Sequence, residues 1–256
     1  TADALAAQLL GRYPIANKQQ YVGMFEDLDN TEVIFKLERA PGDDYDGQGS
    51  TGSGFAGGWA GANFAFINAT IDGSPYYEMS NSLLALLDPA DVRYSVLIEP
   101  TSDFQNNIIA IGKYKGSQGQ PLMNDLKIFR SSEMLLIRAE AAANSNDLAG
   151  AANLLDQLHD ARFGSNQAAP SFASQADAFK AILQERRIEL AYEGFRWVDL
   201  KRLAGKAGIS GIERASEDCT INGACSLPAN DHRMKALPIP LAELDANSNM
   251  TQNAGY

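Results

Sequence analysis

Apolar residues along this chain recur with two different periods, and the two are unevenly distributed. Near the start, Leu5, Leu9 and Leu10 mark one side of a short helix over Ala2 to Leu10. Tyr13-Pro14 ends it, and Lys18 to Glu26 carries a second short helix. In TEVIFKLE, Val33, Phe35 and Leu37 alternate with Ile34, Lys36 and Glu38, the pattern of a strand. Tyr76 to Leu87 reads as a helix stopped at Asp88-Pro89. DVRYSVLI alternates Val92, Tyr94, Val96 and Ile98 and predicts a strand, and NIIAIGKYKG predicts another. The clearest helical pattern spans Phe129 to Arg162. Ser131 or Ser132 caps its first helix, with Met134, Ile137 and Ala141 on one side; SNDL makes the turn, and Leu148, Ala151, Leu155 and Leu158 stripe the second helix.

The densest information lies in QERRIELAYEGFRWVDLKRLAG, from Gln184 to Gly205. Phe179, Ile182, Leu183 and Leu190 set a helical stripe that also passes through Arg186. A guanidinium on an apolar face keeps its proton and must find carboxylates or carbonyls. Glu189 and Glu193 lie on its side of the helix and are its expected partners. Gly194 breaks the run, and Phe195 to Leu203 predicts a second helix with Trp197, Leu200 and Ala204 along one side. Arg196, Asp199 and Arg202 follow at three-residue spacing. Glu185, Glu189, Glu193 and Asp199 are candidate acids of an active site, but each has an arginine within reach. The expectation is therefore a helix–helix corner fixed by a partly buried ion network, with Arg186, Glu189, Glu193, Arg196 and Asp199 structural.

Between Pro41 and Asn63 the composition shifts to PGDDYDGQGSTGSGFAGGWAGAN, glycine-dense and punctuated by Tyr45, Phe55 and Trp59. Its two overlapping GxGxxG matches neither follow a strand nor open a helix, so they fail as dinucleotide loops. Asp43, Asp44, Asp46 and Gly47 are spaced wrongly for a regular calcium loop. A long loop of this kind is a functional candidate. Cys219 and Cys225, six apart in CTINGAC, lack the further Cys or His neighbours of a zinc site and are expected to form a small surface disulfide in an oxidising compartment.

Three stretches carry a family resemblance. ERRIELAYEGFRWVDLKR resembles the hallmark run of the SusD/RagB family of outer-membrane nutrient-binding lipoproteins. FRSSEMLLIRAEAAANSNDLAGAANLLDQLHDAR resembles the helical pair just upstream of that run. KALPIPLAELDANSNMTQNAGY resembles the family's ending, except that Ala254 stands where a proline is usual. They occur in the family's order, and looser similarity reaches back to about Tyr13. The resemblance implies a mainly α, SusD-like fold with a tetratricopeptide-type helical pair, long loops and a few short strands. Residues 1–256 then form one SusD/RagB-like C-terminal region, with the pair at about 129–162, the hallmark corner at 173–205 and the glycine-rich loop at 41–63. Only the C-terminal half of a usual member is covered, and the start at Thr1 without a methionine fits a cut or partial polypeptide.

Charge and composition narrow the function. The formal charge of -11 argues against a nucleic-acid partner, while 45% apolar and 21% charged residues are ordinary for a globular chain. His159 and His232 have no metal-spaced partners and read as surface histidines, and no GxSxG, P-loop or HExxH occurs. No catalysis and no cofactor are expected. The resemblance implies a cell-surface protein that captures oligosaccharides and delivers them to a TonB-dependent, SusC-like outer-membrane transporter, held by an N-terminal lipid anchor absent from this chain. Trp59, Tyr45 and Phe55 supply aromatic platforms for sugar rings and Asn63 polar contacts; the competing reading makes Trp59 a core anchor of its loop. Two other functions stand beside this one: a tetratricopeptide-type protein-interaction module without glycan binding, and a glycoside hydrolase, which needs only two placed carboxylates.

Overall fold

A computed structural model describes residues 1–39, 78–114, 116–117, 120–121, 124–219 and 225–256. Its centre is a helical hairpin of α5 (Ser131–Asn144) and α6 (Leu148–Phe163), against which α1 (Ala2–Leu10) and α7 (Gln175–Glu189) pack. Ala139, Ala143 and Ala151 are fully buried between these helices, and their small side chains let the backbones approach closely. Leu135, Leu155, Leu158, Ile182 and Leu183 fill the same core. The turn is set locally. Asp147 accepts from Gly150 N at 2.8 Å to cap α6, and Gly164 ends it at φ 70°. Ser174 caps α7 in the same manner.

A second layer holds α2 (Lys18–Phe25), α3 (Asn81–Leu84) and α4 (Val92–Leu97). Asn17 and Gln20 close a capping box at the start of α2. The strand β1 (Val33–Leu37) pairs antiparallel with β4 (Leu126–Arg130), Val33 opposite Arg130, with register shifts on either side of Phe35. This pairing delivers Arg130 to the foot of α5. Two smaller ribbons pair β2 (Gly116–Ser117) with β3 (Gln120–Pro121), and β5 (Gly211–Glu213) with β6 (Ser226–Pro228). After α8 (Arg196–Leu203) and these last strands, α9 (His232–Lys235) and α10 (Leu241–Ala246) lead into a tail that the Gln252 side-chain amide clasps to both the N–H and the carbonyl of Ile239. Among the described residues no helix is long and apolar enough to cross a membrane.

The structure is mainly helical with a few short strands, as the resemblance implies, and it corrects several details of the pattern reading. Residues 92–97 are helical, not extended. Val92 and Val96 satisfy both a two-residue and a four-residue period, and Asp91, accepting from Arg93 N at 2.8 Å, supplies the helix cap that decides between them. NIIAIGKYKG contributes single bridges at Ile108 and Ile111 in place of a strand, then Gly116, the first residue of β2. Of the helix expected to reach Leu87, the described part is helical only over Asn81–Leu84. Neither Ser131 nor Ser132 caps α5. Ser131 Oγ donates to Glu32 O at 3.0 Å, and Ser132 Oγ accepts from Arg130 Nη1 at 2.8 Å. In β1, Val33 is buried but Phe35 and Leu37 are half exposed, the register shifts around Phe35 breaking the expected alternation, while Lys36 reaches Asp125. On α1, Ala6 is buried while Leu5 faces outward.

Candidate functional site

The hallmark stretch folds as expected into α7, a tight corner and α8. Tyr192 at φ 64° and Gly194 at φ 85° turn the chain. A Cβ on Gly194 would meet nothing within 4 Å, so glycine serves the left-handed backbone there and not a lack of space. Arg186 is buried, as its place on the stripe requires, but its partner is neither Glu189 nor Glu193. Arg186 Nε donates to Asp199 Oδ2 at 2.8 Å, across the corner, and its guanidinium lies 5.6 Å from the Phe195 ring centroid. Asp199 also accepts from Arg202 Nη2 at 2.9 Å. Arg202 reaches on to Glu140 of α5. The corner thus locks α7, α8 and α5 together through Arg186, Asp199 and Arg202. Among the described residues Arg196 forms no ion pair within this lock; its Nη1 donates to Leu183 O at 3.5 Å.

Glu189 and Glu193 face the other way, into a buried network that the local pattern does not disclose. Arg162 Nη2 donates to Glu189 Oε1 at 2.8 Å and to Glu32 Oε2 at 2.9 Å, and its guanidinium stacks 4.2 Å from the Tyr21 ring centroid. Arg130 Nη1 bridges Glu32 and Glu189, and its Nε and Nη2 grip both oxygens of Glu193 at 2.9 and 2.7 Å. Arg93 pairs with Asp91, Glu185 and Glu189. Lys113 Nζ donates to Glu193 and to the carbonyl of Ala191. Burial pushes the carboxyls of Glu185, Glu189 and Glu193 up, but the facing cations outweigh it and hold all three below the usual carboxylate range. Burial likewise draws the Lys113 ammonium down to about 8 against the pull of Glu193. Carboxylates ionised and enclosed in this way do not donate protons to a substrate. The arrangement ties helices to strands.

His159 sits at the edge of this network and is not a free surface residue. Its Nε2 lies 2.9 Å from Glu185 Oε2, and that bond raises its pKa against the opposing effect of burial. His232 is half exposed beside Asp231, with its ring edge-on to Tyr256 at 4.6 Å. Cys219 and Cys225 are joined, with Cα atoms 5.1 Å apart. Among the described residues no group of His, Cys, Asp and Glu is arranged to hold a metal ion. Trp59, Tyr45, Phe55, Asn63 and the Asp43–Asp46 cluster lie outside the described residues.

On its outer side the corner forms one wall of a groove of about 590 Å³, closed by the segment leading into α3 and by β5. Arg187, Tyr192, Arg196 and Trp197 line it from the corner, and Ser80 and Ser82 from the opposite wall. Arg187 Nη2 donates to Ser82 Oγ at 2.7 Å. Sequence reasoning assigned Trp197 to the packed side of α8; it contacts the core but is only partly buried and borders this groove.

Residues 104–256 match the sequence model of the SusD family. SusD-like protein P2 of Formosa agariphila is 36% identical over 174 residues, which are 62% of this chain and 32% of that protein. A SusD superfamily protein from Bacteroides thetaiotaomicron, known from its crystal structure, is 28% identical with a TM-score of 0.72, covering 98% of this chain and 55% of that one. Surface glycan-binding protein A from Bacteroides fluxus has the same fold at 22% identity and a TM-score of 0.71, covering 100% of this chain and 57% of that one. The chain therefore spans about half the length of these solved relatives and about a third of the Formosa protein.

Proposed function

This chain belongs to the SusD family, and from that premise we propose that it is part of a non-catalytic cell-surface protein that captures oligosaccharides and passes them to a TonB-dependent, SusC-like outer-membrane transporter. The observation that carries the reading is the match of the family's hallmark region, joined to a fold shared with a surface glycan-binding protein. A non-catalytic role is supported by the state of the hallmark carboxylates. Glu185, Glu189, Glu193 and Asp199 are each engaged by an arginine, and glycoside hydrolysis needs a carboxyl free to give up a proton.

Capture itself falls to Trp59, with Tyr45 and Phe55 extending a platform for sugar rings and Asn63 bonding hydroxyls. A lipid anchor on a longer polypeptide holds the protein at the outer face of the membrane. Affinity gel electrophoresis against a panel of neutral polysaccharides tests the reading. At least one polysaccharide slows the protein, and Trp59→Ala abolishes the retardation with an unchanged melting temperature. Silence across the panel and toward acidic oligosaccharides alike overturns glycan capture and leaves the helical hairpin as a protein-interaction module. Co-purification with the transporter from outer membranes tests the delivery step separately.

A further inference from the structure

The groove at the hallmark corner contains two arginines that, among the described residues, have no carboxylate within ion-pair distance. Every other deeply placed guanidinium of the corner and network has a carboxylate: Arg93, Arg130, Arg162 and Arg186 each sit within ion-pair distance of one. Arg187 and Arg196 do not. Among the described residues, Arg187 is held by the Ser82 hydroxyl and Arg196 approaches only the Leu183 carbonyl. Both are partly buried, and both line the groove beside Trp197. Asp218 and Asp199 attract Arg187 and Arg196 only from beyond ion-pair distance, so two half-buried like charges face the groove with their N–H groups incompletely engaged, an arrangement that an anion between them relieves. Burial, reinforced by the charge of Arg187, draws the Arg196 guanidinium down to about 10, so it remains cationic at neutral pH, and burial lowers Arg187 as well. Arg214 adds a third positive charge at the rim, set against the exposed carboxylates of Glu78 and Glu213.

We propose that this groove is a binding site for the carboxylate of an acidic sugar unit, gripped by Arg187 and Arg196 with the sugar ring against Trp197. The inference rests on the reading of the protein as a glycan-capturing one and adds a place and a substrate class to it. A guanidinium presents two parallel N–H groups that match the two oxygens of a carboxylate. The partly exposed indole offers the apolar surface that a sugar ring covers. Ser80 and Ser82 lie on the opposite wall, within the same groove, as hydroxyl partners for the ring. The net charge of -11 selects among anions. A densely sulfated polymer meets repulsion along its length, whereas one carboxylate per ring engages the local pair without importing so much charge.

Isothermal titration of the full 256-residue chain with oligogalacturonate, and with the same oligosaccharide methyl-esterified, tests the proposal. The acid form binds, and the ester, which keeps the ring but loses the charge, binds about tenfold or more weakly. Arg196→Gln weakens binding of the acid by a similar factor and leaves the ester unaffected. The comparison of acid with ester uses the unaltered protein, so it stands even if the variant folds poorly. With only two tryptophans in the chain, Trp59→Phe leaves Trp197 as the single indole reporter, and its fluorescence changes on adding the acid form. Equal affinity for acid and ester, or an unchanged affinity in folded Arg196→Gln, overturns the site. The neutral polysaccharide panel separates the two readings: binding there without discrimination of the acid leaves glycan capture standing and removes this site. Silence toward both the neutral panel and the acid removes both.

Discussion

Arg130 and Glu189, 59 residues apart in the chain, meet twice: Arg130 Nη1 donates to the Glu189 carboxylate at 2.9 Å, and Nη2 to the Glu189 carbonyl oxygen at 3.0 Å. Glu189 is the last residue of α7, where carbonyls lack intrahelical partners and the helix dipole is negative. One guanidinium therefore ends the helix and neutralises its terminal side chain. Arg162 completes the enclosure from the other side, with Nε at 3.0 Å and Nη2 at 2.8 Å from the two carboxylate oxygens.

Replacing Glu189 by Gln keeps the shape and removes the charge that Arg130, Arg162 and Arg93 share. Breaking a buried pair on one side costs about 3–5 kcal/mol, because the remaining charges stay buried. Urea unfolding of Glu189→Gln should show a midpoint far below that of the parent with an unchanged slope. An equal midpoint would show that the network carries no stability.

Arg186→Ala should destabilise less. Asp199 loses Arg186 but keeps Arg202, which is partly solvated, so its charge is not stranded. A loss of about 3 kcal/mol is expected, at the lower end for a broken buried pair. Measured in the same unfolding series, the order should be Glu189→Gln, then Arg186→Ala, then the parent; the reverse order of the two variants would contradict the pairing described.

His159 gives the fold a pH dependence. Its pKa is raised in the folded protein by the bond to Glu185. The stabilisation is therefore complete below the unfolded histidine value of about 6.5 and disappears as pH rises through the higher folded value. Melting temperatures taken in steps from about pH 6 to pH 8 should fall over this window, and His159→Gln should flatten that part of the curve. A curve of identical shape in the variant would remove His159 as the titrating group.

Much of the helical frame is legible from spacing alone, since α5, α6, α7 and the corner announce themselves by three- and four-residue apolar steps. So, in retrospect, is one member of the network. Arg162 continues the buried row of Ala151, Leu155 and Leu158 on α6, the same signature that marks Arg186 on α7. The identity of the partners is not legible. Glu32 comes from the loop before β1, Arg93 from α4 and Arg130 from β4, and no local period links them. Proximity in sequence favoured Glu189 and Glu193 as partners of Arg186, but Asp199 prevails because the corner folds α8 back onto the face where Arg186 points. The groove is illegible in the sequence for the same reason, as its walls come from three separated segments.

The Cys219–Cys225 bridge should be recovered as one linked peptide from an unreduced digest. Its closed loop is short, so replacing both cysteines by serine should lower stability by at most about 2 kcal/mol. Two alkylatable thiols in oxidised protein would refute the pairing.

Glu32 accepts from Arg162 across 130 residues of chain. That separation has a kinetic meaning as well as an energetic one. A polypeptide made from its N-terminus presents the carboxylate of Glu32 and the strand after it long before α6 exists, and closing so large a loop precedes any reward from the contact. Until α6 and α7 arrive, Arg93 and Arg130 are better off in water than in a half-built interior. The interior that these charges line is therefore expected to close only after α6 and α7 have supplied Arg162 and Glu189.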